Sequence, residues 1–159
     1  MIQVDTCLVH ADLRRVFDCA RDVERWPEWL PHYRWVRFLE RRSGDGAAGG
    51  GLVEMAAWRP FGRLRYPTWW VSEMLVDPTA PAVRYRHVQG ITRGMEVEWA
   101  FVPEGRGVTV TITHLWRGPA WPLIGASAAS LVIGPVFIHG IAQLTLAGIA
   151  RVAERAGEG

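Results

Sequence analysis

Asp12-Leu13-Arg14-Arg15-Val16-Phe17-Asp18-Cys19-Ala20-Arg21-Asp22-Val23-Glu24-Arg25, followed at once by Trp26-Pro27-Glu28-Trp29-Leu30-Pro31, is the stretch whose reading decides the fold. Leu13, Val16, Phe17, Ala20 and Val23 recur at three- and four-residue steps, which predicts an amphipathic helix over Leu13 to Arg25 with Asp12 opening it. A residue before proline is pushed out of the helical region, so the helix is expected to stop at Trp26-Pro27. The Trp-Pro-Glu-Trp phrase then reads as a short kinked or second helical piece.

On the N-terminal side, Ile2 to Val9 alternates like a strand. On the C-terminal side, Tyr33 to Arg41, Leu52 to Trp58, Leu64 to Val76, Val83 to Gln89, Met95 to Val102 and Val108 to Trp116 read as six more. Tight turns such as Asp77-Pro78-Thr79-Ala80-Pro81 and Glu104-Gly105-Arg106-Gly107 join them, which predicts an antiparallel meander. Gly44-Asp45-Gly46-Ala47-Ala48-Gly49-Gly50-Gly51 reads as a flexible hairpin loop, because it lacks the Gly-Lys-Ser/Thr ending of a phosphate-binding loop. The order is strand, helices, six strands and a long C-terminal helix. That is α+β: one antiparallel sheet of about seven strands must cover its apolar face with the last helix. No repeat or linker divides residues 1–159, so a single domain is expected. A curved sheet wrapped round a helix leaves a cavity, and this one would take something apolar.

Composition narrows the function classes. Of 159 residues, 49% are hydrophobic and 21% charged, which excludes intrinsic disorder. Basic and acidic residues nearly balance at a net charge of +2, so no nucleic-acid partner is expected, and the use of arginine for every basic residue reads as codon bias. Cys7 and Cys19 form no metal-binding spacing; two reduced thiols are expected, with a disulfide left open. The N-terminus lacks the basic and apolar regions of an export signal, which points to the cytoplasm. Between Arg117 and Arg151, 33 residues carry no charged side chain apart from the usually neutral His139. Leu123 to Ala150 is long enough to span a bilayer, but Gly134-Pro135, His139-Gly140, Gln143 and the small residues near Ser127 and Ser130 argue against it. The expected alternative is a helix buried on all sides. Contact with the inner membrane surface and homodimerisation through this helix both remain open.

Val16-Phe17, Asp22-Val23-Glu24-Arg25-Trp26-Pro27-Glu28-Trp29, the Trp99-Ala100-Phe101-Val102-Pro103-Glu104-Gly105 hairpin, Thr109 to Thr113 and Leu146-Ala147-Gly148-Ile149 together resemble the START-like (SRPBCC) superfamily. That superfamily includes the polyketide cyclase/dehydrase and coenzyme Q-binding proteins. The resemblance covers essentially the whole chain and is most specific at the helix-to-WPEW segment. It implies a helix-grip (START/Bet v 1-like) fold with a deep hydrophobic cavity. It does not imply one activity, since members carry lipids or quinones, sense ligands, or cyclise and dehydrate polyketides.

Strand alternation assigns the cavity wall. Glu96 and Glu98 must face water, which sends Met95, Val97, Trp99 and Phe101 inward. Outward threonines leave Val108, Val110, Ile112, His114 and Trp116 inside, and outward Arg84 and Arg86 leave Val83, Tyr85, His87 and Gln89 inside. His87 and His114 are therefore the candidate proton-transfer residues, because imidazole titrates near neutrality. Tyr85, Gln89, Met95, Trp99, Phe101, Ile112, Trp116 and His139 are the candidate ligand contacts. Tyr85, Arg65 or the second histidine would hold a developing enolate. His139 and Gln143 share one helix face and also suit helix packing or a subunit contact.

Trp26 and Trp29 read as anchors of the helix pair. Trp58, Trp69, Trp70 and Trp121 suit planar ligands or core filling, and adjacent Trp69 and Trp70 cannot both face inward. Arg59, Arg63 and Arg65 with Phe61 read as a solvated basic hairpin or a membrane-inserting one. No metal or other cofactor is expected, and no nucleophile elbow or dinucleotide fingerprint is present. The expected function is binding of a hydrophobic small molecule: a polyketide, an isoprenoid quinone or a lipid. The alternatives are an aromatase/cyclase-type enzyme whose rate changes between about pH 5 and 8 through histidine, and a membrane-surface carrier.

Overall fold

The computed structural model describes residues 1–42, 49–61, 63–118 and 138–155. The expectations placed on residues 44–48, the Phe61 side chain, Trp121 and the apolar run up to residue 137 lie outside the described residues. Strands β1 (Ile2–Val9), β2 (Tyr33–Arg41), β3 (Gly50–Phe61), β4 (Leu64–Asp77), β5 (Ala82–Gly90), β6 (Glu96–Glu104) and β7 (Gly107–Leu115) form one sheet. Its order is β1-β7-β6-β5-β4-β3-β2, with every pairing antiparallel. The meander runs from β2 to β7, and β1 returns to pair with β7.

Helix α1 (Leu13–Arg21) opens at Asp12, whose side chain accepts from the backbone N–H of Arg15 at 3.0 Å. It buries Val16, Phe17 and Ala20. The helix is four residues shorter than its apolar spacing predicts. It breaks at Asp22, a 3-10 turn takes Val23–Arg25, and α2 (Trp26–Trp29) begins there. Trp26 adopts helical angles although proline follows it. Pro27 stands in the first turn of α2, where a missing N–H costs nothing, so the proline starts a helix here rather than ending one.

Helix α3 (His139–Arg155) lies against β1, α1, α2 and β3. It buries Ala142, Leu146, Ile149 and Ala153 but leaves Leu144 45% exposed. The described part of the C-terminal helix is therefore one-sided, and the expectation of burial all round is corrected. Among the described residues no helix is long and apolar enough to cross a membrane. Cys7 and Cys19 are free, half-buried thiols.

An aromatic seam joins α1 and α2 to the sheet. Phe17 meets Phe101 edge-on at 5.4 Å, Trp26 meets Tyr33 at 5.1 Å and Trp99 at 5.6 Å, and Tyr33 meets Trp70 at 6.3 Å. Edge-on pairs add about 0.5–1.5 kcal/mol each beyond their buried area. Trp26 Nε1 donates to the Cys19 carbonyl at 3.1 Å, so the indole enters the core with its polar atom satisfied.

Candidate functional site: a cavity beneath the C-terminal helix

Between the concave face of the sheet and α3 lies a cavity of about 60 Å³, room for roughly four waters. Six of the predicted residues line it: Tyr85, His87, Met95, Trp99, Ile112 and His114. Strand alternation brings these together from β5, β6 and β7, with Met95 just before β6. Val97, which strand alternation also sends inward, and residues not predicted as ligand contacts complete the wall. The latter are Trp26, Tyr33, Met55 and Trp70, then Ile138, Ile141, Ala142 and Thr145 around α3, and Arg59.

Arg59 is the largest departure from the sequence reading. Grouped with Arg63 and Arg65, it reads as a solvated hairpin charge, yet it is only 5% exposed, while Arg63 and Arg65 are left outside. Counting by twos along β3 explains this: Val53, Met55 and Ala57 are buried on the concave face, and the next residue on that face is Arg59. Its Nε donates to Thr68 Oγ1 at 3.3 Å, and Thr68 Oγ1 donates to the Ala57 carbonyl at 3.0 Å. Burial pulls the Arg59 guanidinium down to about 10, still a cation at neutral pH. Arg65 instead stacks over Trp58 at 5.6 Å, so it holds nothing in the cavity.

Four other predicted contacts sit elsewhere. Gln89 is exposed, in a surface groove beside Trp69 and Trp116. The cause is a bulge: Ser72 pairs with His87 and Val71 with Gln89, so Val88 is an extra residue and inverts the alternation after it. Phe101 faces inward but packs under Phe17 beyond the cavity. Trp116 is buried with Nε1 donating to the Arg93 carbonyl at 3.2 Å, closing the turn between β5 and β6. His139 lies on the β1 side of α3, where its Nδ1 donates to Asp5 Oδ1. Trp69 faces out and Trp70 in, as neighbouring strand residues must.

The polar groups inside are few. His87 Nδ1 shares a 2.6 Å hydrogen bond with Thr92 Oγ1, and its ring stacks on Trp70 at 5.8 Å. Burial first, then His114 and Arg59, push His87 down to about 3. Burial pushes His114 down to about 4, with Asp5 opposing and Arg59 adding to the fall. Both are therefore neutral at pH 7, as a proton acceptor must be. Burial raises Tyr85 well above the usual phenol value. Tyr85 Oη and His114 Nδ1 are buried and have no hydrogen-bond partner among the described residues. Thr145 Oγ1 donates to the Ile141 carbonyl at 2.8 Å and so accepts from His32 Nε2 at 2.9 Å, which fixes the His32 tautomer. No cluster of three or more metal-ligating side chains occurs among the described residues.

A seven-stranded sheet gripping a C-terminal helix over an aromatic cavity with a buried arginine defines a helix-grip cavity protein. The chain belongs to the polyketide cyclase / dehydrase and lipid transport family, whose model matches residues 9–134. It is 30% identical over 114 residues to the bifunctional cyclase/dehydratase of the actinorhodin polyketide synthase of Streptomyces coelicolor; the match takes in 70% of this chain and about a third (33%) of that longer relative. The Zhui aromatase/cyclase of Streptomyces sp. R1128 superposes with a TM-score of 0.75 at 18% identity, over 98% of this chain and 94% of that one. A START superfamily protein of Mycobacterium smegmatis superposes with a TM-score of 0.69 at 14% identity, over 95% and 98%. These structural likenesses establish the fold.

Proposed function

We propose that the cavity binds a polyketide-like molecule, mostly apolar and carrying ketone or phenol oxygens. The observation that carries this reading is the pairing of aromatic walls with a few polar groups, buried Arg59 and the Tyr85 Oη that has no partner among the described residues. Rings offer flat apolar area, and the arginine and phenol offer donors to oxygen. Ligand pockets commonly hold about 300–1,000 Å³, so a ligand of this class enters only if the cavity widens. The family match and the likeness to a cyclase/dehydratase support the same class of ligand.

The test is a native mass spectrum of the gently purified chain, followed by affinity measurements on the retained molecule. A polycyclic or polyketide-like mass is expected, and Arg59→Met should weaken its binding about tenfold to a hundredfold, the worth of a hydrogen bond to a charged group. An isoprenoid quinone or lipid in its place, or full affinity in a folded Arg59→Met variant, overturns this reading.

The two neutral histidines beside Arg59 favour a second reading, that the chain cyclises or dehydrates the molecule it binds. A histidine would remove a proton from carbon between two ketones while Arg59 or Tyr85 holds the enolate oxygen. With His87 near 3 and His114 near 4, the rate would inflect below pH 5 rather than between 5 and 8. A His87→Ala/His114→Ala variant that keeps full turnover rejects it.

Cytoplasmic location and contact of α3 with a second copy or a membrane surface belong to the same proposal. The exposed Leu144 supports that contact. A chain that sediments as a monomer at micromolar concentration and ignores liposomes at low salt removes both partners.

A further inference from the structure

At the β1–β7 edge of the sheet, two buried polar atoms have no hydrogen-bond partner among the described residues: Asp5 Oδ2 and His114 Nδ1. Asp5 pairs across the strands with Ile112, and His114 with Gln3, so Asp5 and His114 are diagonal neighbours on the inward face. Asp5 is 2% exposed, the deepest carboxylate among the described residues. Its other oxygen, Oδ1, accepts from His139 Nδ1 and from Gln143 Nε2 at 2.9 Å, both on α3. Half of this carboxylate is thus committed to holding the helix, and half is buried with no donor among the described residues. A buried acceptor left in that state costs about 1–3 kcal/mol, so a polar partner belongs there.

His87 is differently placed. Its Nδ1 is already engaged by Thr92, its ring is covered by Trp70, and the wall of the cavity holds no carboxylate. We infer that Asp5 is the positioning residue of His114. One polar atom, a water or a ligand hydroxyl, bridges Asp5 Oδ2 and His114 Nδ1 and makes His114, not His87, the group that gains and loses a proton in the cavity. Its use in catalysis rests on the cyclase reading above; the pairing itself does not.

The charges around His114 agree. Asp5 on β1 opposes the effect of burial, Arg59 on β3 adds to it, and neutral His87 and Tyr85 on β5 bring no negative charge. His139 on α3 bonds the same Asp5 carboxylate. When His114 accepts a proton from a C–H or O–H of the ligand, the ligand keeps the bonding electron pair. The ring becomes imidazolium beside the Asp5 carboxylate, and returning the proton to the ligand restores both. No co-reactant is needed.

The experiment is an NMR titration of isotope-labelled histidines in the ligand-free chain, comparing the parent with Asp5→Asn. His114 is expected to titrate above His87 in the parent and to fall by about one pH unit in the variant, while His87 moves much less. An unmoved His114, or equal movement of both rings, in a folded variant overturns the inference. Should Asp5→Asn not fold, the parent alone decides: a His114 that titrates no higher than His87 rejects the pairing. Because no ligand is present, failure here leaves the ligand reading intact, and an unexpected ligand in the mass spectrum leaves this titration untouched.

Discussion

Glu54 and Arg59 lie on one strand and face opposite sides of the sheet. Arg59 enters the cavity, while Glu54, 8% exposed, is held on the outer face by Trp35 Nε1 at 3.2 Å, Trp69 Nε1 at 2.9 Å and Arg37 Nε. Burial alone would push this carboxyl up. The three donors outweigh it and hold the group below its ordinary value. With the folded value depressed, the stability Glu54 contributes is present above the unfolded range, about 4.3, and is lost as pH falls through the lower folded value. Glu54→Gln should therefore cost about 1–3 kcal/mol in urea unfolding at pH 7 and flatten the loss of stability below pH 4. Equal stability at pH 7 would show that the indoles, and not the charge, hold this face together. The adjacent Trp69 and Trp70 said that one indole faces outward, but they could not say that two indoles share one carboxylate, because that depends on pairing across three strands.

At the scale of elements, the bulge in β4–β5 is the feature that strand counting cannot reach. One extra residue after His87 turns Gln89 outward and brings Gly90 against β4. Gly90 has φ +99°, and a Cβ there would stand 2.4 Å from the Trp69 carbonyl oxygen and 2.9 Å from Trp70 Cα. Gly90→Ala should lose about 1–3 kcal/mol from backbone strain alone. Trp70 carries the stacked His87, so the same variant should also disturb the cavity. Thermal unfolding and histidine NMR shifts check both effects, and an unchanged melting temperature would refute the strain argument. The helices show the same limit. The apolar spacing found α1 and located the break to within one turn, but the position of that break depends on Val23 and Trp26 both reaching the core.

For the whole molecule, three histidines are folded in their neutral form. Burial holds His32 near 4, His87 near 3 and His114 near 4. Unfolding returns each to about 6.5. Between about pH 6.5 and 4 the unfolded chain binds protons that the folded chain refuses, so stability must fall as pH drops through that window. Urea unfolding at pH 7, 6 and 5 should show uptake of about two to three protons on unfolding at pH 5. A stability flat over that range would mean that the rings are more solvated than the packing under α3 implies. α3 is tied at several points: Asp5 holds His139 and Gln143, His32 holds Thr145, Arg151 donates to the Trp29 carbonyl at 2.9 Å, and Glu154 accepts from the His10 N–H at 2.9 Å. All these ties join residues more than 100 positions apart, and none leaves a trace in local pattern.

The amino-acid sequence by itself determined the α+β class, the seven strands, the helix pair and the faces of β5, β6 and β7 up to His87, because periodicity and turn chemistry are local properties. It also placed six cavity residues, since alternation within a strand is independent of the rest of the chain. Only the tertiary structure decided that Arg59 is a cavity residue, that Gln89 is not, that Phe101 and Trp116 pack beyond the wall, and that His139 serves Asp5. Each of those outcomes depends on which strand lies beside which and on where α3 closes over the sheet. Long-range burial and register settle such matters, and they exist only once the chain has folded.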